Sequence, residues 1–330
     1  MKVCVFGAGA IGSHVAVRLH EGGAQTSVIA RGAQLAAIKA GGIRMRVGGE
    51  ETVAAVAASD DPAALGVQDA VIVTLKAPAL PSLAATIGPL LGPDTPVVFA
   101  MNGIPWWYFY KHGGEQDGRR LPAIDAGDAV WRAVGPERAI GGIVYSACEV
   151  TEPGVVEVAS AKNRLVFGEP DGRRSERAEA IAAVLSRGGL PTVVTETVRD
   201  EIWSKLMGNI ASGPLGILSQ SPVNAFASDP ACEGLMRSIL AEAAAIAEAL
   251  GCRPSRDTEG RIASMRNLAH KNSILQDLER GRPMEIEAIY RTPLELARMA
   301  KVPTPVLDWV IALATLRARA AGLLPEAATA

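Results

Sequence analysis

Residues 2–19 leave few folds open. An apolar run, Lys2-Val3-Cys4-Val5-Phe6, breaks straight into Gly7-Ala8-Gly9-Ala10-Ile11-Gly12, and a helical pattern follows from Ser13 to Leu19. Strand, glycine turn and helix in that order make a dinucleotide pyrophosphate site. Gly7 permits the tight turn, Gly9 lets the backbone approach the phosphates, and Gly12 lets helix and strand pack closely. The diphosphate then sits on a helix N-terminus, where unpaired N–H groups and the dipole favour an anion.

The end of the second strand bears on which dinucleotide. Residues 24–30 lead to Arg31, where an NAD-specific site usually places Asp or Glu for the ribose 2′-hydroxyl. A guanidinium there suits a 2′-phosphate through charge-assisted hydrogen bonds, which favours NADP(H). The alternative is a solvated arginine at a strand end.

At 330 residues the expectation is two domains, and a 48% hydrophobic composition is enough for substantial cores. A formal net charge of -2 with no polybasic run points to neither nucleic acid nor an anionic membrane, so a small-molecule partner is expected. Cys4, Cys148, Cys232 and Cys252 show neither CxxC spacing nor a Cys/His cluster, so no metal site and no disulfide framework is indicated. Reduced thiols, no signal-peptide pattern and no long apolar stretch give the expectation of a soluble cytoplasmic protein.

Short apolar runs alternate with helical patterns through the first half: residues 70–75, then 80–91, then 96–100. That order predicts a parallel sheet with crossover helices. Strand-like pieces at 142–147 and 163–167, separated by Glu152-Pro153-Gly154, predict a hairpin-like extension of the sheet. One more helix is expected over 175–187 and a last strand over 191–194. After about Val198 strand signals vanish, and helical patterns occupy 233–250, 257–278, 285–300 and 305–320. Gly251 and Pro303 act as stop and start signals, and residues 322–330 read as a frayed tail. The expected division is a nucleotide-binding domain over 1–196 and an all-helical domain over 197–330.

Several residues could carry chemistry. Lys76 and Asn102 follow apolar strands, and ligands of doubly wound sheets bind at the carboxyl ends of strands; otherwise Lys76 is a loop lysine and Asn102 a turn former before Gly103. Lys205 and Asn209 lie four residues apart, hence on one helix face, among Trp203, Leu206 and Ile210. A lysine desolvated there would have a lowered pKa and could donate a proton near neutrality, whereas an ordinary surface lysine would not. In residues 270–285, Ser273 could hold a carboxylate and Glu285 could accept from a hydroxyl or orient the lysine, while capping and turn duties account equally for Asp277, Gly281 and Pro283. His270 reads as structural, because no triad or metal partner accompanies it.

Taken together, the glycine turn, Val73-Thr74-Leu75-Lys76, Asn102-Gly103, Trp203-Ser204-Lys205-Leu206-Met207-Gly208-Asn209 and the run from Ser273-Ile274-Leu275-Gln276-Asp277 to Pro283-Met284-Glu285 resemble the ketopantoate reductase family. The matches run in order over nearly the whole chain. The resemblance implies an α/β Rossmann-type domain joined to an all-α domain of the 6-phosphogluconate dehydrogenase-like type, with the active site in the cleft between them. It implies NADPH-dependent reduction of a 2-oxo acid, with 2-dehydropantoate to pantoate, in pantothenate biosynthesis, as the leading reaction. A different 2-oxo acid, or a non-catalytic NADP(H)-binding sensor, are the alternatives. By motif position, Lys205 matches the general acid, Asn209 and Ser273 the substrate-binding residues, and Glu285 the glutamate beside lysine and cofactor. Arg31 and Lys76 match groups near the 2′-phosphate, and Asn102 the asparagine near nicotinamide and substrate. No metal is required.

One departure stands out. After Asn209 the family usually continues to a second asparagine followed by proline, whereas Gly213 precedes Pro214 here. A substrate hydroxyl loses that partner unless Ser212 or a water replaces it, and such a site can favour another 2-oxo acid. The aromatic run Trp106-Trp107-Tyr108-Phe109 either shapes a larger apolar pocket or packs between domains. The apolar helices of the second half suit a homodimer, and suit a monomer equally.

Overall fold

In the computed structural model, which describes residues 1–159 and 162–324, strand β1 (Lys2–Phe6) lies in the interior of an eight-stranded sheet. Val5 is opposite Val28 of β2 (Gln25–Ile29) on one side and Ile72 of β6 (Ala70–Val73) on the other, all parallel. Strands covered on both faces read as unbroken apolar runs, and Val3, Val5, Val28 and Ile72 are fully buried. Beyond β6 come β7 (Val97–Ala100) and β8 (Ala139–Tyr145), both parallel, and beyond β2 comes the short β5 (Ala57–Ser59). The far edge is β11 (Arg164–Gly168), antiparallel to β8, and β12 (Thr192–Val194). The chain reverses direction across the sheet at β1, which makes the carboxyl ends of β1 and β6 the switch point where such sheets take ligands.

The strand-like pieces at 142–147 and 163–167 extend the main sheet as expected, as the antiparallel pair β8 and β11, but the Glu152-Pro153-Gly154 turn between them makes a further hairpin of its own. It joins β9 (Cys148–Glu152) to β10 (Val155–Val158), and these do not extend the main sheet; they pair with β3 (Ile43–Val47) and β4 (Glu50–Ala54) in a separate four-stranded sheet. Its function in the fold is to cover helix α1 (Ala10–Glu21), which touches β1 and β2 on one side and β3, β4, β9 and β10 on the other. That double cover is why Ser13, His14, Val15, Ala16 and Val17 are all buried, more than an ordinary amphipathic helix needs. Helix α2 (Gly32–Gly41) follows β2, α3 (Leu80–Thr86) and α4 (Ala129–Val134) follow β6 and β7, and α5 (Glu176–Arg187) is capped by the Ser175 hydroxyl accepting from the Ala178 N–H.

From α6 (Val198–Ser219) onward the described residues form no strand. Helices α7 (Val223–Ala227), α8 (Pro230–Ala249), α9 (Thr258–Arg266), α10 (Ser273–Glu279), α11 (Thr292–Met299) and α12 (Pro305–Ala320) follow. The single helical pattern expected over 257–278 is two helices. Asn267 ends α9, and Asn272 starts α10 with its Oδ1 accepting from the Leu275 N–H, so two amide side chains punctuate a run whose apolar spacing looked continuous. The six terminal positions 325–330, part of the expected tail, lie outside the described residues.

The chain divides into two compact units, Met1–Met101 with Pro105–Val198, and Asn102–Ile104 with Arg199–Ala330. The short excursion of Asn102–Ile104 into the helical unit has a local cause. A π-helical turn, Glu287–Arg291, precedes α11, and the Thr292 N–H bonds back to the Glu287 carbonyl instead of that of Ala288. The released Ala288 carbonyl accepts from the Ile104 N–H at 2.9 Å. Gly103, at φ +84, must be glycine there, since a Cβ would stand 2.5 Å from the same carbonyl.

Candidate functional site

In the first unit the glycine turn is held from behind. The N–H groups of Gly7 and Ala8 both donate to the Ile29 carbonyl, and the Thr74 hydroxyl at the end of β6 donates to the Gly7 carbonyl at 2.6 Å. Gly7 adopts φ +111, a conformation costly for any other residue. A Cβ on Gly12 would fall 1.8 Å from the Gly7 carbonyl oxygen, so this glycine is required for the helix to start so close to the strand. Gly9 differs: nothing lies within 4 Å of a Cβ built on it, and as the N-cap it has no side chain to occupy the helix end. The cradle formed by Gly7, Ala8, Gly9, Ala10, Ile11 and Gly12 is closed on its protein side and open on its outer side. The first-turn N–H groups of α1 have no intrahelical acceptors and suit a diphosphate.

Arg31 sits between β2 and α2 as the N-cap of α2, and its Nη2 donates to the Ser82 hydroxyl of α3 at 2.9 Å. The guanidinium is exposed at the carboxyl end of the strand and has further N–H donors for a phosphate. Lys76 is half-buried, three residues past β6, and starts the short 3₁₀ turn Ala77–Ala79. The residues present fit a dinucleotide carrying a 2′-phosphate: an open glycine turn for the pyrophosphate and cations beyond β2 and β6.

The second unit holds the other group of candidates. Lys205 lies on α6, flanked along the chain by the buried Trp203 and Leu206. Burial pulls its ammonium down from 10.5 to about 8, and the negative charge of Glu285 works the other way. Glu285 is only 6% exposed, just ahead of the π turn, and the Asn102 amide reaches its Oε2 at 3.5 Å. The Gly103 and Ile104 contacts with Ala288 bring Asn102 to that carboxylate, so Lys205, Glu285 and Asn102 form one electrostatic group. Asn209 is half-buried one turn beyond Lys205. Ser273 is more open than Lys205, Glu285 and Asn102. It is exposed in the first turn of α10, beside Asn272, whose Nδ2 donates to the Ser212 carbonyl of α6 at 2.9 Å.

Three further findings bear on the sequence reading. The hydroxyl of Ser212, the candidate to stand in for the missing asparagine, spends its proton on the Gly208 carbonyl of its own helix at 2.9 Å. Trp106, Trp107, Tyr108 and Phe109 are all buried and pack within the first unit, with Trp106 edge-on to Phe99 and Trp131 at 5.3 and 5.7 Å. Tyr290 carries no mark of function in the sequence. It is 1% exposed, and its phenol oxygen lies 1.7 Å from where a Cβ of Gly213 would be. Burial, with the negative charge of Glu285 adding to it, pushes that phenol well above its usual range. A tyrosine in an apolar helix pattern reads as core, so the one available signal was the glycine at 213 that makes room for it.

Among the described residues no group of three or more His, Cys, Asp or Glu could hold a metal ion, and no helix is long and apolar enough to cross a membrane.

Comparison with known proteins covers both units. The family model for ketopantoate reductase PanE/ApbA matches residues 3–172, and that for the ketopantoate reductase PanE/ApbA C terminal matches residues 197–318. A 2-dehydropantoate 2-reductase of Mesorhizobium japonicum is 44% identical over 315 residues, covering 95% of this chain and 96% of the relative. Among crystal structures, a Ralstonia solanacearum protein assigned as a ketopantoate reductase is 38% identical with TM-score 0.91, covering 98% of this chain and 99% of that one. The 2-dehydropantoate 2-reductase of Methylococcus capsulatus is 28% identical with TM-score 0.81, covering 97% and 98%.

Proposed function

Because the chain belongs to the ketopantoate reductase family and is an oxidoreductase of Rossmann-plus-helical type, we propose that it reduces 2-dehydropantoate to pantoate with NADPH, a step of pantothenate formation in the cytoplasm. Residues 1–196 take the cofactor and residues 197–330 take the substrate. The observation that carries this reading is the lysine of α6, lowered to about 8 by burial and set against the buried carboxylate of Glu285.

Bound NADPH supplies the hydride that adds to the carbonyl carbon of the 2-oxo acid. The glycine turn holds the pyrophosphate, and Arg31 and Lys76 select the 2′-phosphate. As the carbonyl oxygen gains negative charge, the Lys205 ammonium stabilises it and then gives it a proton, leaving a 2-hydroxy acid. A donor with a pKa of about 8 is well matched: protonated at neutral pH, yet weakly basic enough to release the proton. Glu285 restrains the fall of that pKa and accepts from Asn102, which fixes the carboxylate. Asn209 and Ser273 bind the substrate. A sensor without turnover would have no use for such a proton donor.

The test is NADPH oxidation with 2-dehydropantoate. Wild type is expected to turn over and Lys205→Ala to bind NADPH normally while losing at least about a hundredfold in kcat. An unchanged rate in the variant removes Lys205 from the mechanism. We also place a homodimer interface on the helical unit, where Trp309, Leu313 and Leu316 of α12 are exposed, Trp309 by 74%. A monomer mass in solution would rule that out.

A further inference from the structure

Lys205, Asn209 and Gly213 recur every fourth residue along α6 and so form one stripe on that helix. The first two carry polar side chains and the third carries none. The space a side chain at 213 would use is occupied: the phenol of Tyr290 arrives with its oxygen leading, 1.7 Å from the ideal Cβ position against 2.9 Å for the ring carbon that bears it. No residue other than glycine fits opposite this oxygen without moving it. The tyrosine is delivered by the π turn Glu287–Arg291, five residues beyond Glu285, and feels that carboxylate's charge. One hydroxyl therefore stands at the third place of a polar stripe whose other members are the proton donor and a substrate amide.

We propose that the Tyr290 hydroxyl is a specificity-determining group, the hydrogen-bond partner of a hydroxyl carried by the 2-oxo acid beyond its reacting carbonyl. The inference rests on the reductase reading above and adds the residue that recognises the distal hydroxyl of 2-dehydropantoate and so prefers it to its deoxy analogue. Two physical points support it. A phenol both donates and accepts, so it can satisfy an alcohol as an amide would. A buried polar group left unpaired by the wrong substrate also costs more than a missing apolar contact, so a site of this kind rejects the analogue that lacks the hydroxyl. Gly213 and Tyr290 are then one device, the first making room for the second.

The experiment compares 2-dehydropantoate with 3,3-dimethyl-2-oxobutanoate, which differs by the hydroxyl alone, using wild type and Tyr290→Phe. In wild type the ratio of kcat/KM values should favour the hydroxylated acid by at least about tenfold. In Tyr290→Phe that ratio should collapse by about tenfold or more, chiefly through KM for 2-dehydropantoate. A packing role would lower both acids together and keep the ratio. An unchanged ratio in the variant, or a wild type indifferent to the hydroxyl, overturns the inference while the reductase reading stands. A wild type that reduces neither acid removes that reading and this inference with it. A Tyr290→Phe protein that no longer folds or binds NADPH assigns the hydroxyl to packing and overturns the inference as well.

Discussion

If the ammonium of Lys205 is the proton donor, the reductive rate must follow its protonation. With a pKa of about 8, roughly nine-tenths of the enzyme carries the proton at pH 7 and roughly one-tenth at pH 9, so kcat/KM for 2-dehydropantoate should fall about tenfold over that interval. A lysine at the unshifted value of 10.5 would lose only about 3% over the same range. The sign follows from the chemistry: reduction consumes the charged form and fails as pH rises, whereas oxidation of pantoate needs the neutral amine and should gain. Initial rates of NADPH consumption and formation across pH 6.5 to about 10 measure both limbs. Glu285→Gln removes the influence that raises the lysine pKa, so its descending limb should begin at lower pH. Lys205→Arg keeps its charge throughout; it should be slow and lack the limb. A profile flat to pH 10, or a limb that persists in Lys205→Arg, refutes the assignment.

Other consequences are as direct. Arg31→Asp should weaken NADPH about ten- to a hundredfold by fluorescence titration and NADH far less, and equal losses would remove the 2′-phosphate contact. The two inner glycines should separate: Gly12→Ala drives a methyl into the Gly7 carbonyl and should lower the melting temperature by the equivalent of about 1–3 kcal/mol or more, whereas Gly9→Ala should leave melting unchanged and still weaken the nucleotide. His14, buried between Ser146 and Arg18, has its pKa pulled from 6.5 down to about 4, chiefly by burial and then by the arginine. The unfolded chain therefore takes up the proton first, and stability present above pH 6.5 is lost as pH falls towards 4, by about 2 kcal/mol at pH 5. Melts of His14→Gln at pH 7.5 and 5 should show that dependence reduced, and an unaltered difference would clear the histidine.

The glycine turn, the parallel strands and the helical second half were legible because each is a local pattern: an unbroken apolar run, a φ that only glycine holds, a 3.6-residue repeat. The second sheet escaped for a physical reason. Ile43, Met45 and Val47 do alternate with Arg44 and Arg46, but β3 finds β10 more than a hundred residues later, and nothing local says that a second hairpin, β9–β10, lies between β8 and β11 to meet it. Lys205, Asn209, Ser273 and Glu285 could be picked out through the family resemblance and not from spacing alone, since a helix lysine among apolar neighbours is commonly solvated. Structure adds what no window of residues contains: that Asn102 is drawn to Glu285 by a carbonyl freed within the π turn, and that Tyr290 fills the gap at Gly213.

The π turn also sets a limit on how this region can vary. A wide turn holds one residue more than the α-helical ladder needs, so deleting Arg291 would let the ladder close and rotate everything upstream by about 100° relative to α11. Ala288 would turn with the upstream segment and let go of Ile104, while Leu294, Leu296 and Ala297 would stay anchored in their present packing. Tyr290 would swing off the α6 stripe and Glu285 away from Asn102 in a single step. Altered substrate choice in this scaffold is therefore to be sought by exchanging side chains at constant length, because a shortened segment would part Glu285 from Asn102 and Tyr290 from Gly213 together.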